Sequence, residues 1–307
     1  MDRSTLVIGT RGSPLALRQA HEVADRLAAA LGWEEAQLPL SIIKTTGDAI
    51  QDRPLSEAGG KGLFTKELDA ALLDGAIDLA VHSAKDLPTR LPDGLTIAGY
   101  LPREDVRDAF ISGTAPSLRA LPQGAVVGSA SLRRQAQVRR ARPDLAVTLL
   151  RGNVGTRLAK VESGTIAATL LALAGLKRLG LESHVTALLD TDEFLPAVGQ
   201  GAIAITIRAD DARTRRLLHS ILDGATGIAL ACERAFLTVL DGSCRTPIAG
   251  HARVSDGAVS FRGIVLRPDG SDSVEVAGSG SAAEAAGIGA EAGHDLKGRM
   301  PPGMLDP

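Results

Sequence analysis

The feature that most constrains this chain is a recurring unit. A short apolar run ends in a tight turn of small residues that often carries arginine, and a helical pattern follows. Residues 5–9 (TLVIG) read as a buried strand, and Ser13 and Pro14 then open a helix reaching to about residue 31. Serine is a natural N-cap and proline suits the first turn. Residues 40–44 read as the next strand. A glycine-rich loop at 59–62 leads into a helix ending near 74–75, and 77–82 form another buried strand. Helical crossovers between short apolar strands predict an α/β fold with a largely parallel sheet.

The rhythm restarts after the mixed-charge stretch 103–108. Strands are expected at 125–129, 146–150 and 166–171, with helices at 132–142 and 154–163 between them. Residues 195–196 and 199–201 mark a second crossover. Past about residue 223 the pattern changes to a helix at 226–240, strands near 248–254, 259–266 and 273–276, and a helix near 282, which reads as a small α+β domain. No internal repeat is visible. The Pro- and Gly-rich tail, 298–307, is expected to be mobile.

Composition narrows the function. At 307 residues the chain has room for two or three domains, and 44% hydrophobic content excludes wholesale disorder. A formal net charge of −2, with five Phe, one Trp and one Tyr, argues against a nucleic-acid binder, which needs a basic field and stacking rings. The longest uncharged runs, about a dozen residues, are too short to span a bilayer, so no membrane association is expected. The start, 1–5, shows no basic segment leading into an apolar stretch, and there are two cysteines, Cys232 and Cys244. Both features lead to the expectation of a cytoplasmic protein. No set of His, Cys, Asp or Glu has metal-ligand spacing, and no metal is expected.

Arginine outnumbers lysine 27 to seven. Codon bias would explain that blandly, whereas recognition of carboxylates or phosphates would use the planar fork of arginine. Position favours recognition. Arg11 lies in the turn 9–14 (GTRGSP), Arg133 and Arg134 in 128–134 (GSASLRR), and Arg151 and Arg157 in 150–157 (LRGNVGTR). Each turn joins a strand end to a helix start, where free backbone N–H groups suit an anion. Cations in the first turn of a helix oppose its dipole, so Arg133 and Arg134 make sense with an anion nearby. Arg139, Arg140 and Arg142 lie near the other end of that helix, where the dipole alone accounts for them. In 81–88 (VHSAKDLP) a buried strand delivers Ser83, Lys85 and Asp86 to its carboxyl edge, the ligand-binding edge of open α/β sheets. Lys85 and Asp86 could also simply pair with each other, and His82 reads as structural. The loop at 59–64 (GGKGLF) lacks the glycine and hydroxyl positions of a P-loop. Cys244, among the small residues of 242–245 (GSCR), is accessible by pattern, whereas Cys232 sits in a helix.

In this order, the segments 9–20 (GTRGSPLALRQA), 59–68 (GGKGLFTKEL), 81–88 (VHSAKDLP), 128–135 (GSASLRRQ), 150–158 (LRGNVGTRL), 173–180 (LAGLKRLG), 196–201 (PAVGQG) and 242–248 (GSCRTPI) resemble the porphobilinogen deaminase family, also called hydroxymethylbilane synthases. The likeness runs to about residue 265. It implies two α/β lobes like those of periplasmic binding proteins, with an active cleft between them, plus a small α+β C-terminal domain. The boundaries implied are 1–101 with 200–221 for the first lobe, 105–196 for the second and 224–307 for the third domain. It implies a transferase of porphyrin and haem biosynthesis that deaminates four porphobilinogen molecules and joins them head to tail into 1-hydroxymethylbilane. The primer is a dipyrromethane cofactor in thioether linkage to Cys244. By the same resemblance Asp86 is the catalytic carboxylate, and Ser83, Lys85, Ser129, Arg133, Arg134 and Arg157 hold the cofactor. Arg11, Ser13, Lys61, Phe64, Arg151 and Gln200 bind substrate, and the enzyme is a monomer. Every ring carries an acetate and a propionate, so the six rings of the primed product present roughly a dozen carboxylates, and many forked cations are needed to compensate them.

Two departures from the family pattern stand out. Glu57 occupies a loop position where some members have lysine, and Ala130 replaces a common hydroxyl residue. The rival readings are a non-catalytic bilobal carboxylate binder, which leaves Cys244 and the third domain idle, and a nucleotide-dependent enzyme, which lacks its motifs.

Overall fold

The computed structural model of the chain describes residues 5–49, 62–242 and 246–304. From the N-terminus the elements run β1 (Ile8–Arg11), α1 (Pro14–Leu31), β2 (Leu40–Ile43), α2 (Thr46–Ala49), α3 (Lys66–Leu73), β3 (Leu79–Ser83) and β4 (Leu95–Tyr100). Then follow β5 (Asp108–Ser112), β6 (Val126–Gly128), α4 (Leu132–Ala141), β7 (Ala146–Thr148), α5 (Val154–Glu162), β8 (Ala168–Ala172), α6 (Leu173–Leu179) and β9 (Ala187–Leu188). The chain continues through β10 (Ile203–Arg208), α7 (Ala212–Leu218), α8 (Gly224–Val239), β11 (Ile248–Ser255), β12 (Ala258–Leu266), β13 (Ser273–Ser281) and α9 (Ala285–Arg299). Contacts divide it into two compact units, 1–104 with 201–227, and 105–200 with 228–307.

The first unit is built on a sheet of order β2-β1-β3-β10-β4. Strands β1, β2 and β3 are parallel, while β10 runs antiparallel to both β3 and β4. The sheet is therefore mixed, not largely parallel. The run at 203–208 enters from a crossover at the carboxyl edge of β3 and descends, pairing Ile203 with Ser83. On one face Ala20, Val23 and Leu27 of α1 and Leu218 of α7 pack on Leu79, Val81, Ile203, Ile205 and Ile207. The spacing of those α1 positions makes one apolar stripe. On the other face Leu68 and Leu72 of α3 cover Ile77 and Ala80.

The second unit repeats the plan. Its five-stranded sheet has the order β7-β6-β8-β5-β9, with β6, β7 and β8 parallel and β5 antiparallel to β8. Val138 of α4 meets Phe110, Val127 and Leu170 on one face, while Leu158 and Val161 of α5 and Leu176 of α6 cover Ala109, Ile111 and Leu171 on the other. The same unit holds the three-stranded antiparallel sheet β11-β12-β13 with α8 and α9. Phe236 of α8 packs on Phe261 of β12 at 4.9 Å between ring centroids. Helix α9 comes so close to α8 that a Cβ at Gly289 would run into the Cys232 carbonyl. The C-terminal sheet also touches the Arg-bearing helix: Ala136 of α4 shares a cluster with Leu195, Ala249, Ile264 and Leu266. The tail differs from expectation, since α9 extends through Arg299 and Met304 is only 2% exposed. No helix among the described residues is long and apolar enough to cross a membrane.

Candidate functional site

Parallel pairing puts the carboxyl ends of β1, β2 and β3 at one edge of the first sheet. Arg11 ends β1, Ser83 ends β3, and Lys85 and Asp86 lie in the single helical turn that follows β3. The carbonyl of Ala202 fixes that turn by accepting from the Ala84 N–H at 3.0 Å. Lys85 and Asp86 are half-buried on it. Ser83 and Gln19 hold each other, with Gln19 Nε2 to Ser83 Oγ at 2.9 Å and Ser83 Oγ to Gln19 Oε1 at 3.2 Å. Gln19 is the one polar residue in the buried stripe of α1, at 3% exposure. That break in the apolar stripe was a signal open to sequence reading.

His82 is buried behind this edge, with Nε2 3.0 Å from the Thr206 hydroxyl. Burial, aided by the Arg11 charge, pushes its pKa down to about 4, so the ring is neutral near pH 7. The Arg11 guanidinium stacks over the Phe64 ring at 4.2 Å, a cation–π contact. Ser13 is the N-cap of α1 and accepts from the Ala16 N–H at 3.3 Å. Lys61, Glu57 and Cys244 lie outside the described residues.

The second sheet presents a matching edge. Ser129 follows β6 and is buried, and its Oγ accepts from the Ser131 N–H at 3.2 Å. Ser131 caps α4, and Asn153 caps α5 through its side chain to the Thr156 N–H at 2.9 Å. Arg157 turns back onto the Gly152 carbonyl at 3.0 Å, and Arg151 is half-buried beside this turn. Gly152, at φ 104°, adopts a backbone that side-chain-bearing residues avoid, which lets the turn close.

Arg133 and Arg134 do not extend into solvent. Both are buried on Asp108, itself fully buried at the start of β5. Strand β5 runs antiparallel to β8, pairing Asp108 with Ala172, so it begins where β8 ends. Arg133 Nη2 donates to Asp108 Oδ2 at 2.8 Å. Arg134 donates to Oδ1 from Nε at 3.1 Å and from Nη2 at 2.7 Å. Gln200 Nε2 donates to the same Oδ1 at 2.9 Å and to the Val106 carbonyl at 2.7 Å. The anion that two arginines at a helix start call for is thus first of all the chain's own Asp108. Burial would raise the Asp108 pKa, but the Arg133 and Arg134 guanidinium groups overcome it and hold the carboxyl well below the usual carboxylate range.

The fit of a polycarboxylate can be tested on this cluster. Two guanidinium groups share one carboxylate, which leaves one positive charge out of water. Arg133 Nε is buried and has no hydrogen-bond partner. A buried net charge and an orphaned donor are both costly, and a ligand carboxylate would relieve both. The residues therefore suit an anionic ring system.

One further residue holds this edge. Glu233 of α8, fully buried, accepts from the Gly199 N–H at 2.8 Å and the Ala252 N–H at 2.9 Å, which pins the turn before Gln200. Cys232 is buried, and burial together with Glu233 pushes its thiol up to about 12. It is protonated and inert as a nucleophile.

Two family models match the chain: porphobilinogen deaminase, dipyromethane cofactor binding domain, over residues 6–216, and porphobilinogen deaminase, C-terminal domain, over 228–298. Among curated relatives, a porphobilinogen deaminase of Nitrobacter winogradskyi is 59% identical over 95% of this chain and 92% of its own. A chloroplastic one of Oryza sativa is 55% identical over 99% and 86%, and that of Paracoccus denitrificans 54% identical over 97% and 96%. Among solved structures, a periplasmic substrate-binding protein of an ABC transporter from Coxiella burnetii overlays 72% of this chain at 15% identity and a TM-score of 0.46.

Proposed function

Because this chain belongs to the porphobilinogen deaminase family, we propose that it deaminates porphobilinogen and joins four units head to tail into 1-hydroxymethylbilane. For each unit added, the aminomethyl C–N bond breaks and ammonia leaves. A carbon–carbon bond then forms to the α-carbon of the preceding ring, whose hydrogen departs as a proton. When bound, the dipyrromethane would supply the first nucleophilic α-carbon, and after the fourth addition one water would cleave the bond between primer and product, its hydroxyl going to the methylene of the released chain and its proton back to the primer's α-carbon.

Asp86 is the acid-base group. Departure of ammonia makes the substrate ring electron-poor, and a carboxylate at the pyrrole N–H stabilises the developing positive charge and exchanges that proton. Its position on a short turn anchored through the Ala84 N–H to the Ala202 carbonyl limits the reorganisation the carboxylate needs. Lys85 and Ser83 beside it bind cofactor carboxylates, Arg11, Ser13 and Lys61 bind substrate carboxylates, and Phe64 binds substrate from beneath the Arg11 guanidinium. Arg133, Arg134, Ser129 and Arg157 hold cofactor carboxylates, and Arg151 and Gln200 assist with substrate. Cys244 is the covalent anchor, on a module spanning 224–307. The protein acts as a cytoplasmic monomer.

The observation that carries this reading is the cluster of two buried guanidinium groups with a single carboxylate between them. The test is intact mass after exposure to porphobilinogen, with released ammonia measured in parallel. The full chain should gain two deaminated units and then release ammonia in step with product. Cys244→Ser should abolish the increment, whereas Cys232→Ser, at a buried inert thiol, should keep it. An increment that survives in Cys244→Ser overturns the anchor. Binding of porphobilinogen without ammonia release overturns the enzyme reading in favour of a carboxylate binder.

A further inference from the structure

We infer that Asp108 is a positioning residue of the second sheet's edge: it fixes Arg133 and Arg134 in the forked arrangement that receives a cofactor carboxylate. The inference rests on the proposed role of those two arginines. Asp108 occurs in no turn that sequence motifs single out, and it reaches the site only through its partners.

The geometry divides Arg134 into a held part and an offered part, and it holds Arg133 at both terminal nitrogens. Arg134 commits Nε and Nη2 to Asp108 Oδ1, so Nη1 is not used on that carboxylate. Arg133 commits Nη2 to Asp108 Oδ2 and Nη1 to the Leu195 carbonyl at 2.7 Å, and its Nε remains unpaired in the interior. A long side chain held at two points loses its rotamer freedom before the ligand arrives, and pre-organisation of this kind is what makes a first contact productive. Asp108 is itself held at Oδ1 by Gln200 and stands on a paired strand, so the fork has a rigid base.

The same carboxylate sets the charge. The two arginines and Asp108 sum to one positive charge beside the first turn of α4, whose free N–H groups add to it. The charges acting on Arg133 are those of Asp108 and Arg134. One ligand carboxylate therefore closes the balance. Without Asp108 two unneutralised guanidinium groups would stand side by side and repel.

The test uses the full chain purified without its primer and then exposed to porphobilinogen. Intact mass gives the rate at which the two-unit increment appears, and melting before and after loading gives the gain in Tm that loading brings. Asp108→Asn should load about tenfold more slowly and lose at least about half of the Tm gain. Arg134→Gln should do the same, and the double variant should be no worse than either single one. A residue that merely supports the fold would lower both melting points equally and leave the gain intact. Folded Asp108→Asn with a wild-type rate and gain, or additive losses in the double variant, overturns the inference. Should Asp108→Asn not fold, Arg134→Lys decides: it keeps the charge but cannot grip Oδ1 through two nitrogens, so it should also load about tenfold more slowly, and wild-type loading overturns the inference. If Arg133→Gln and Arg134→Gln both load normally, the proposed role of the arginines is wrong as well. If only Asp108→Asn is normal, that role stands and this inference alone falls.

Discussion

At the scale of single residues, the first sheet's edge sets the carboxylate proposed to react, Asp86, apart from side chains that hold one another. Gln19 fixes Ser83, Thr206 fixes His82, and Phe64 carries the Arg11 guanidinium, while Asp86 stands on a turn anchored through Ala84. Removal of the Asp86 carboxylate should therefore disturb chemistry more than packing. Asp86→Ala is expected to lower kcat by about 10²- to 10⁴-fold while shifting Tm little, because the side chain is half-buried and outside the apolar clusters. Turnover and melting measured on one preparation check this. A variant that turns over normally removes Asp86 from the mechanism, and one that melts far lower makes it a structural residue. The placement of Arg11, Ser83, Lys85 and Asp86 at one sheet edge was legible in the sequence because strand ends and turns advertise themselves locally. Asp108 was not, because its partners Arg133, Arg134 and Gln200 lie 25, 26 and 92 residues away along the chain.

At the scale of elements, helix starts were the most readable features. Ser13 with Pro14 fixed the opening of α1, and the turns before α4 and α5 were recognisable from their caps. The antiparallel strands were not. Strand 108–112 begins on a buried Asp at the end of the mixed-charge stretch 103–108, and 203–208 follow a glycine crossover, so neither announces a strand and each sheet reads as more parallel than it is. The turn after β12 presses on α4. Gly270 has φ 77°, and a Cβ there would stand 2.6 Å from the Arg140 backbone nitrogen and 2.8 Å from the Ala136 carbonyl oxygen of α4. Gly257, in the turn between β11 and β12, also has φ 77° but has open space where its Cβ would go. Both Ala variants bear the backbone strain, and only Gly270→Ala also forces the hairpin off α4. Gly257→Ala should cost about 1 kcal/mol and Gly270→Ala about 2 kcal/mol more, read by denaturant unfolding. Equal losses would mean that the hairpin yields freely and exerts no hold on α4.

At the scale of the whole molecule, each unit holds, among the described residues, a buried titratable group whose shift makes the fold sensitive to acid, and the two groups work in different pH windows. In the first unit the His82 pKa falls from 6.5 to about 4 on folding. The unfolded chain then binds more protons between those values, so stability is complete above about 6.5 and is lost as pH falls toward 4. By pH 5 the loss should reach about 2 kcal/mol. In the second unit Asp108 is depressed in the fold, so its contribution is complete above 3.8 and is lost only as pH falls below that. Asp69 of α3, raised by burial, works the other way: its contribution is present at low pH and is lost as pH rises through its folded pKa, above 3.8. The sole tryptophan, Trp33, packs against the core that α1 shares with the first sheet, so its fluorescence reports that unit. Denaturant titrations followed by Trp33 should give a clearly lower midpoint at pH 5 than at pH 7.5. His82→Gln, whose amide can still reach Thr206 but does not titrate, should remove most of that difference at some cost in absolute stability. A variant that keeps the full pH 7.5-to-5 difference would show that another group governs the first unit's response to acid.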